Sequence, residues 1–233
     1  MRVAVVVLVL LWAVAVAVAM AGQAVLAVDI SCPAQSPTFP VCATQGNVML
    51  VLDVSNGMSV TRYLNMLTRF QTYQCNLNPY TIGLVFYSGY TSQVVIPLSA
   101  WSRNDWYYKL ETLKGQAATY CCSGRRPFPD ALHAAFGQLR ITSTNKLIGD
   151  RLIAVFSNGL PGQTAHAGKY RWPQISEAYY LYDVVPKVAQ EIRNQGVRVL
   201  VDIIAQDTGT KSSVFNYLAG KFNTTAQGTH KNV

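Results

Sequence analysis

The sequence predicts an α/β domain built on a doubly wound, mostly parallel sheet of Rossmann-like winding, with one antiparallel strand at its edge. Three observations carry this prediction. Apolar runs recur at 48–52 and 151–156, the composition of strands covered on both faces, and a Val/Ile-rich strand follows at 197–205. The segments between them change to a helical period. Strand and helix alternate along a chain of 233 residues, enough for one sizeable core and hardly for two.

The N-terminal stretch is set aside first. After Met1 and Arg2, Val3 to Val28 carries no charge. A basic start, a Val/Leu/Ala-rich centre and small residues at the −3 and −1 positions of candidate cleavage sites after Ala21 and after Ala27 read as a secretory signal over residues 1–27. The rival reading is a membrane anchor, since such a run spans about 30 Å of hydrocarbon. Secretion is the expectation, with no other membrane segment. Losing Arg2 takes the net charge from +8 to +7, so the mature chain stays basic. Residues 28–45 are rich in Pro, Ser, Thr and Cys and read as a lead-in.

The domain spans 46–222. Val48-Met49-Leu50-Val51-Leu52-Asp53 is an apolar run ending in an acid, the central strand of a parallel sheet. Asn56-Gly57 turns the chain. Tyr63, Met66, Leu67, Phe70 and Tyr73 then form one helical stripe. Tyr80 to Tyr87 is a second strand with Gly83 inside it, and Ser88-Gly89-Tyr90 links it tightly to an antiparallel third, Ser92 to Ile96, ended by Pro97. A polar-faced helix runs from Arg103 to Lys114, stopped by Gly115. After an irregular loop, Pro129-Asp130 opens a helix burying Ala131, Leu132, Ala135, Phe136 and Leu139. Arg151 to Phe156 is a strand, followed by a long aromatic loop. A helix carrying Val185, Val188, Ala189 and Ile192 closes at Gly196, Val197 to Ala205 is a strand, and a last short helix carries Phe215, Leu218 and Phe222. Residues 223–233 are a polar tail, and Asn223-Thr224-Thr225 is a glycosylation sequon.

In open sheets of this kind, ligands bind beyond the carboxyl ends of the strands where strand order reverses. Asp53-Val54-Ser55-Asn56-Gly57, the loop Thr119 to Pro129, and Ser157-Asn158-Gly159 converge there. A buried strand ending in Asp-x-Ser, with a second ending in polar-Asn-Gly, resembles the von Willebrand factor A family. Ile82-Gly83-Leu84-Val85-Phe86-Tyr87-Ser88, Asp130-Ala131-Leu132 and Arg151-Leu152-Ile153-Ala154-Val155-Phe156 extend the resemblance over most of the mature chain. The form Asp53 to Met58 is similar to divergent A domains of small secreted invertebrate proteins.

The resemblance implies a metal-ion-dependent adhesion site of Asp-x-Ser-x-Ser, a threonine and a second aspartate. Asp53 and Ser55 are kept, but Gly57 stands for the last serine, Asn158 for the second aspartate, and Arg126 and Phe128 lie where the threonine should be. Asp53, Ser55 and Asn158 are therefore a degenerate metal set, a poor Mg²⁺ site opposed by Arg125 and Arg126, and no cofactor is expected beyond weak Mg²⁺. Two plainer readings stay open: Asp53 as a helix N-terminal partner and Asn158 as a turn residue. His133 reads as structural. Arg125 and Arg126 with Lys169, Arg171 and Trp172 make a candidate basic, aromatic patch for an anionic ligand.

The expected function is extracellular protein binding or adhesion, without catalysis, toward a protein or an anionic glycan. A self-associating matrix component is the alternative, for which the odd fifth cysteine and thirteen tyrosines would serve. A hydrolytic or phosphotransfer enzyme is the weakest reading. There is no Gly-x-Ser-x-Gly, no Gly-x-Gly-x-x-Gly after the first strand, no Gly-Lys-Ser loop and no His-Glu-x-x-His. An aspartate nucleophile usually has a carboxylate two residues on, where Ser55 stands. The signal and cysteines argue against nucleic acid, and the cysteine spacing fits no zinc site. Topology puts Cys32, Cys42 and Cys75 at the end of the sheet opposite the ligand loops, so Cys75 should pair with Cys42 or Cys32. Cys121 and Cys122 are then left to bond to each other, to another chain, or not at all. In A domains that switch affinity the resemblance implies a sliding C-terminal helix, but the chain after Phe222 has no amphipathic period to form one.

Overall fold

The computed structural model describes residues 46–77, 81–89, 91–124, 126–140, 147, 149–158, 179 and 183–203. All belong to the larger of two compact units, Cys32–Val233. The signal and lead-in, the tail with Asn223, and the last expected helix lie outside the described residues.

Five strands form one sheet: β1 (Gly46–Asp53), β2 (Thr81–Ser88), β3 (Thr91–Ser99), β4 (Asp150–Ser157) and β5 (Val197–Ile203), in the order β3-β2-β1-β4-β5. β1 pairs in parallel with β2 and with β4, β4 in parallel with β5, and β3 antiparallel with β2. This is the doubly wound, mostly parallel sheet expected, with its antiparallel edge strand. The β1 alternation explains its central place. Val48, Leu50 and Leu52 point into one core layer while Met49 and Val51 point into the other, and every residue of the strand is buried.

Helices α1 (Val60–Leu77) and α2 (Arg103–Gly115) cover the first face. Tyr63, Met66, Leu67, Phe70 and Tyr73, the predicted stripe, pack there with Trp106, Leu110 and Leu113. Two buried polar groups lock these helices together: Tyr63 Oη donates to the Leu113 carbonyl at 2.8 Å and Trp106 Nε1 to the Phe70 carbonyl at 2.8 Å. Each such satisfied bond contributes about 1 kcal/mol, but leaving its buried partner unmet costs more. A single turn, α3 (Ala117–Tyr120), follows inside what reads from sequence as the start of an irregular loop. The second face is covered by α4 (Phe128–Leu139) and α5 (Val185–Asn194), whose Ala131, Leu132, Ala135, Val185, Val188, Ala189 and Ile192 are buried as expected. Phe136 is only partly buried, at the edge of this layer. His133 is exposed, which corrects its reading as a structural residue.

The strand β3 also corrects an expectation: Pro97 does not end it. The register slips between the Ile82–Ser99 and Leu84–Ile96 pairs, so the extra residue at Pro97-Leu98 bulges out. Proline lacks an N–H and is tolerated at such an edge bulge. Gly83 makes room opposite, because a Cβ there would lie 2.6 Å from Met49 Sδ and 2.9 Å from the Leu98 nitrogen.

Candidate functional site

β1 and β4 are neighbours at the point where the chain winds off in opposite directions, and their carboxyl ends hold Asp53 and Ser157-Asn158. That is the switch point at which open α/β sheets place their ligands. Backbone bonds fix the loops around it. Val54 N–H donates to the Tyr87 carbonyl, Cys122 N–H to that of Val54, and Asn56 N–H to that of Gly124, at 2.9–3.1 Å. Gly124 has φ +76°, and a Cβ on it would sit 2.2 Å from the Gly89 Cα. Only glycine lets these two backbones meet, and their contact seats residues 121–124 against the β2–β3 turn.

Asp53 is the centre of this region and is wholly buried. Its Oδ1 accepts the Ser55 backbone N–H at 3.0 Å and the Ser55 hydroxyl at 2.5 Å. Its Oδ2 accepts the Asn158 backbone N–H at 3.0 Å, the Ser157 hydroxyl at 3.4 Å and Arg126 Nε at 3.0 Å. A buried carboxylate demands this many donors, and a cation, to offset its lost hydration. Asp53 is therefore not a helix N-terminal partner: α1 begins at Val60, and its first turn is capped by the Ser59 hydroxyl, which accepts Arg62 N–H at 3.2 Å.

Arg126 does more than neutralise Asp53. Its Nη2 also donates to the Asn56 carbonyl, so the guanidinium spans the β1–α1 loop. Gly57, at φ +103°, lies directly beneath: a Cβ there would come within 2.8 Å of Arg126 Nη2 and 2.9 Å of Asn158 Nδ2. Asn158 is held in turn by Arg62, whose Nη1 donates to its Oδ1 at 2.8 Å. A basic residue in the first turn of a helix works against the helix dipole; here the bond to Asn158 accounts for its presence. Asn158 is thus part of the site, not merely a turn residue.

The structure brings together Asp53, Ser55, Asn158 and Arg126 among the expected site residues. Arg125, Lys169, Arg171 and Trp172 lie outside the described residues, as do Cys32, Cys42 and the side chain of Cys75. Cys121 and Cys122 are bonded to each other, one of the fates left open for them. Sequence reasoning missed Arg62, and it set Ser157 and Gly124 within the converging loops without giving either a role. For Arg62 a signal existed, a cation three residues after the capping Ser59. Nearby, burial raises the Asp130 carboxyl above the usual range, with His133 opposing the shift.

These groups do not fit a divalent cation. Mg²⁺ or Mn²⁺ takes several oxygens with at least one or two carboxylates. Here the single carboxylate already accepts a guanidinium, and Asn158 Oδ1 accepts another. Among the described residues no three His, Cys, Asp or Glu side chains gather as metal ligands, and no helix among them is long and apolar enough to cross a membrane.

No family model and no curated protein matches the sequence. Solved structures do match. The SpRpn10 VWA domain superposes with a TM-score of 0.50 at 14% identity, over 78% of this chain and 83% of that one. Manganese-loaded Plasmodium vivax TRAP protein gives 0.52 at 19%, over 77% of this chain and 64% of that one. The pilus adhesin SpaC from Lactobacillus rhamnosus GG gives 0.54 at 12%, over 79% and 28%. The chain thus spans less than two thirds of the last two. At these identities the likeness establishes the fold.

Proposed function

We propose that this chain, a divergent domain of the von Willebrand factor A fold, is an extracellular, non-catalytic module that binds a protein or an anionic glycan at the carboxyl ends of its parallel strands. The observation that carries the reading is the pairing of Arg62 and Arg126 around the Asp53–Asn158 switch point, where the fold presents its ligand surface. Both guanidiniums retain some exposure, so a carboxylate or sulfate could be met by planar, always-charged donors. Arg125, Lys169, Arg171 and Trp172, which lie outside the described residues, are proposed on the sequence alone as further basic and aromatic groups of this ligand surface. The name of one structural neighbour, a pilus adhesin, supports adhesion as the use of such a surface.

The buried state of Asp53 supports a non-catalytic role. A phosphotransfer nucleophile needs an oxygen free to attack, and both of its oxygens are engaged by several donors. Secretion rests on the uncharged 3–28 segment, and a glycan at Asn223 goes with it.

The test is a binding screen of the secreted protein against fibrillar collagen, fibronectin and heparin, each in Mg²⁺ and in EDTA. Capture by at least one probe is expected. Arg62→Glu should weaken it about tenfold or more, while the lost bond to Asn158 costs no more than about 1–2 kcal/mol of stability and leaves the domain folded. Capture indifferent to Arg62→Glu would refute the site, and turnover of an ester or phosphate substrate would refute the non-catalytic reading. Sizing chromatography without reductant separates the matrix alternative, which requires oligomers.

A further inference from the structure

Gly57, Arg126 and Asn158, three departures from a metal-binding pattern, form one unit in space. Arg126 Nε sits on the Asp53 carboxylate at 3.0 Å, and its Nη2 reaches the Asn56 carbonyl. Any side chain at position 57 would project into this guanidinium, at 2.8 Å from the Cβ onward. A carboxylate at 158 would exchange the amide Nδ2, 2.9 Å from the same point, for an oxygen.

We infer that the guanidinium of Arg126 is the resident cation of this site: it takes the place a divalent ion would need, and Gly57 and Asn158 are the accommodations that admit it. The three residues are one exchange. Removing the serine side chain opens the volume that the guanidinium fills. Holding a neutral amide at 158, fixed by Arg62 at 2.8 Å, leaves one carboxylate for one internal cation. The charge balance is the one a buried aspartate requires, supplied by the chain itself. This cation is covalently part of the chain, so the site stays filled whatever the ionic composition. This inference concerns the site's own cation and holds whether or not the proposed binding role does.

The experiment uses metal alone as probe. Wild-type protein titrated with MnCl₂ should give no saturable heat, and its melting temperature in about 5 mM Mn²⁺ should equal that in EDTA. Gly57→Ser/Arg126→Ser/Asn158→Asp should bind Mn²⁺ with Kd below about 1 mM and melt about 3 °C higher at tenfold excess over Kd. Saturable Mn²⁺ binding by the wild type in that range, or a folded triple variant that binds none, would overturn the inference. A mutant cycle decides the matter even if the triple variant fails to fold. Gly57→Ser should lower the melting temperature by at least about 2 °C more in the wild type than in an Arg126→Ser background, because only the former holds the guanidinium it strikes. Additive effects would show that Gly57 and Arg126 are unrelated.

Discussion

Replacing Asp53 by asparagine changes one atom and should unsettle the whole carboxyl end of the sheet. The side chain is wholly buried and each oxygen faces donors only: Ser55 N–H and hydroxyl on one side, Arg126 Nε, Asn158 N–H and Ser157 hydroxyl on the other. An amide must turn its NH₂ toward one of these sets. In either rotamer a backbone N–H loses its acceptor inside the protein, at about 1–3 kcal/mol. Arg126 loses its counter-charge as well, and breaking a buried pair costs about 3–5 kcal/mol in total. The Arg126 side chain keeps 24% exposure and its bond to Asn56, so water recovers part of the loss. We therefore expect the low end, about 3 kcal/mol, or a fall in melting temperature of about 6–12 °C for a domain of this size. Urea unfolding followed by circular dichroism in EDTA measures it. Adding Arg126→Met should cost less than its effect alone, with a coupling of about 1–2 kcal/mol. A loss under about 1 kcal/mol for Asp53→Asn would refute the network as an anchor.

Three further substitutions test the frame around the site and the core behind it. Gly124→Ala puts a Cβ 2.2 Å from the Gly89 Cα at a positive φ and should cost about 3 kcal/mol or more, whereas Gly137→Ala, in α4 with nothing near its Cβ, should stabilise by about 0.5–1 kcal/mol; equal effects in urea unfolding would refute the backbone contact. Burial, assisted by Tyr120, raises the Tyr63 phenol above its ordinary value of 10.0, and burial raises Tyr73 against the opposing pull of Arg69. The folded state then holds protons that the unfolded state releases, so this stability is complete below about pH 10 and is lost as pH rises above it, by about 1.4 kcal/mol per unit for each phenol. Tyr63→Phe should halve that alkaline slope, and an unchanged slope would show that Tyr63 ionises in the native state.

The sheet was legible because its central strands are covered on both faces. Val48 through Leu52 cannot be read as anything half-solvated, and the stripe from Tyr63 to Tyr73 admits one helical face. The end of β3 was not, because a proline reads as a stop unless the opposing Gly83 is known to face it. Asp53 and Ser55 were legible as a motif fragment. The role of Arg126 was legible only in part: its charge argued against a metal, but its bond to Asp53 joins residues 73 positions apart and depends on where Gly124 meets Gly89. No local pattern encodes such a meeting. Arg62 escaped notice because its meaning lies in Asn158, on a different strand end.

The bulge at Pro97 has a consequence for crowding. A strand at the end of a sheet ordinarily offers a template on which another chain can add, and proteins held at high local concentration are the most exposed to such fusion. On β3 the row of donors is interrupted at Pro97 and the spacing is broken by the extra residue beside it. Among the described residues β3 ends the sheet, and a second chain added there would meet a broken ladder at that point. Copies of this molecule held close together would therefore find no regular ladder to extend at Pro97.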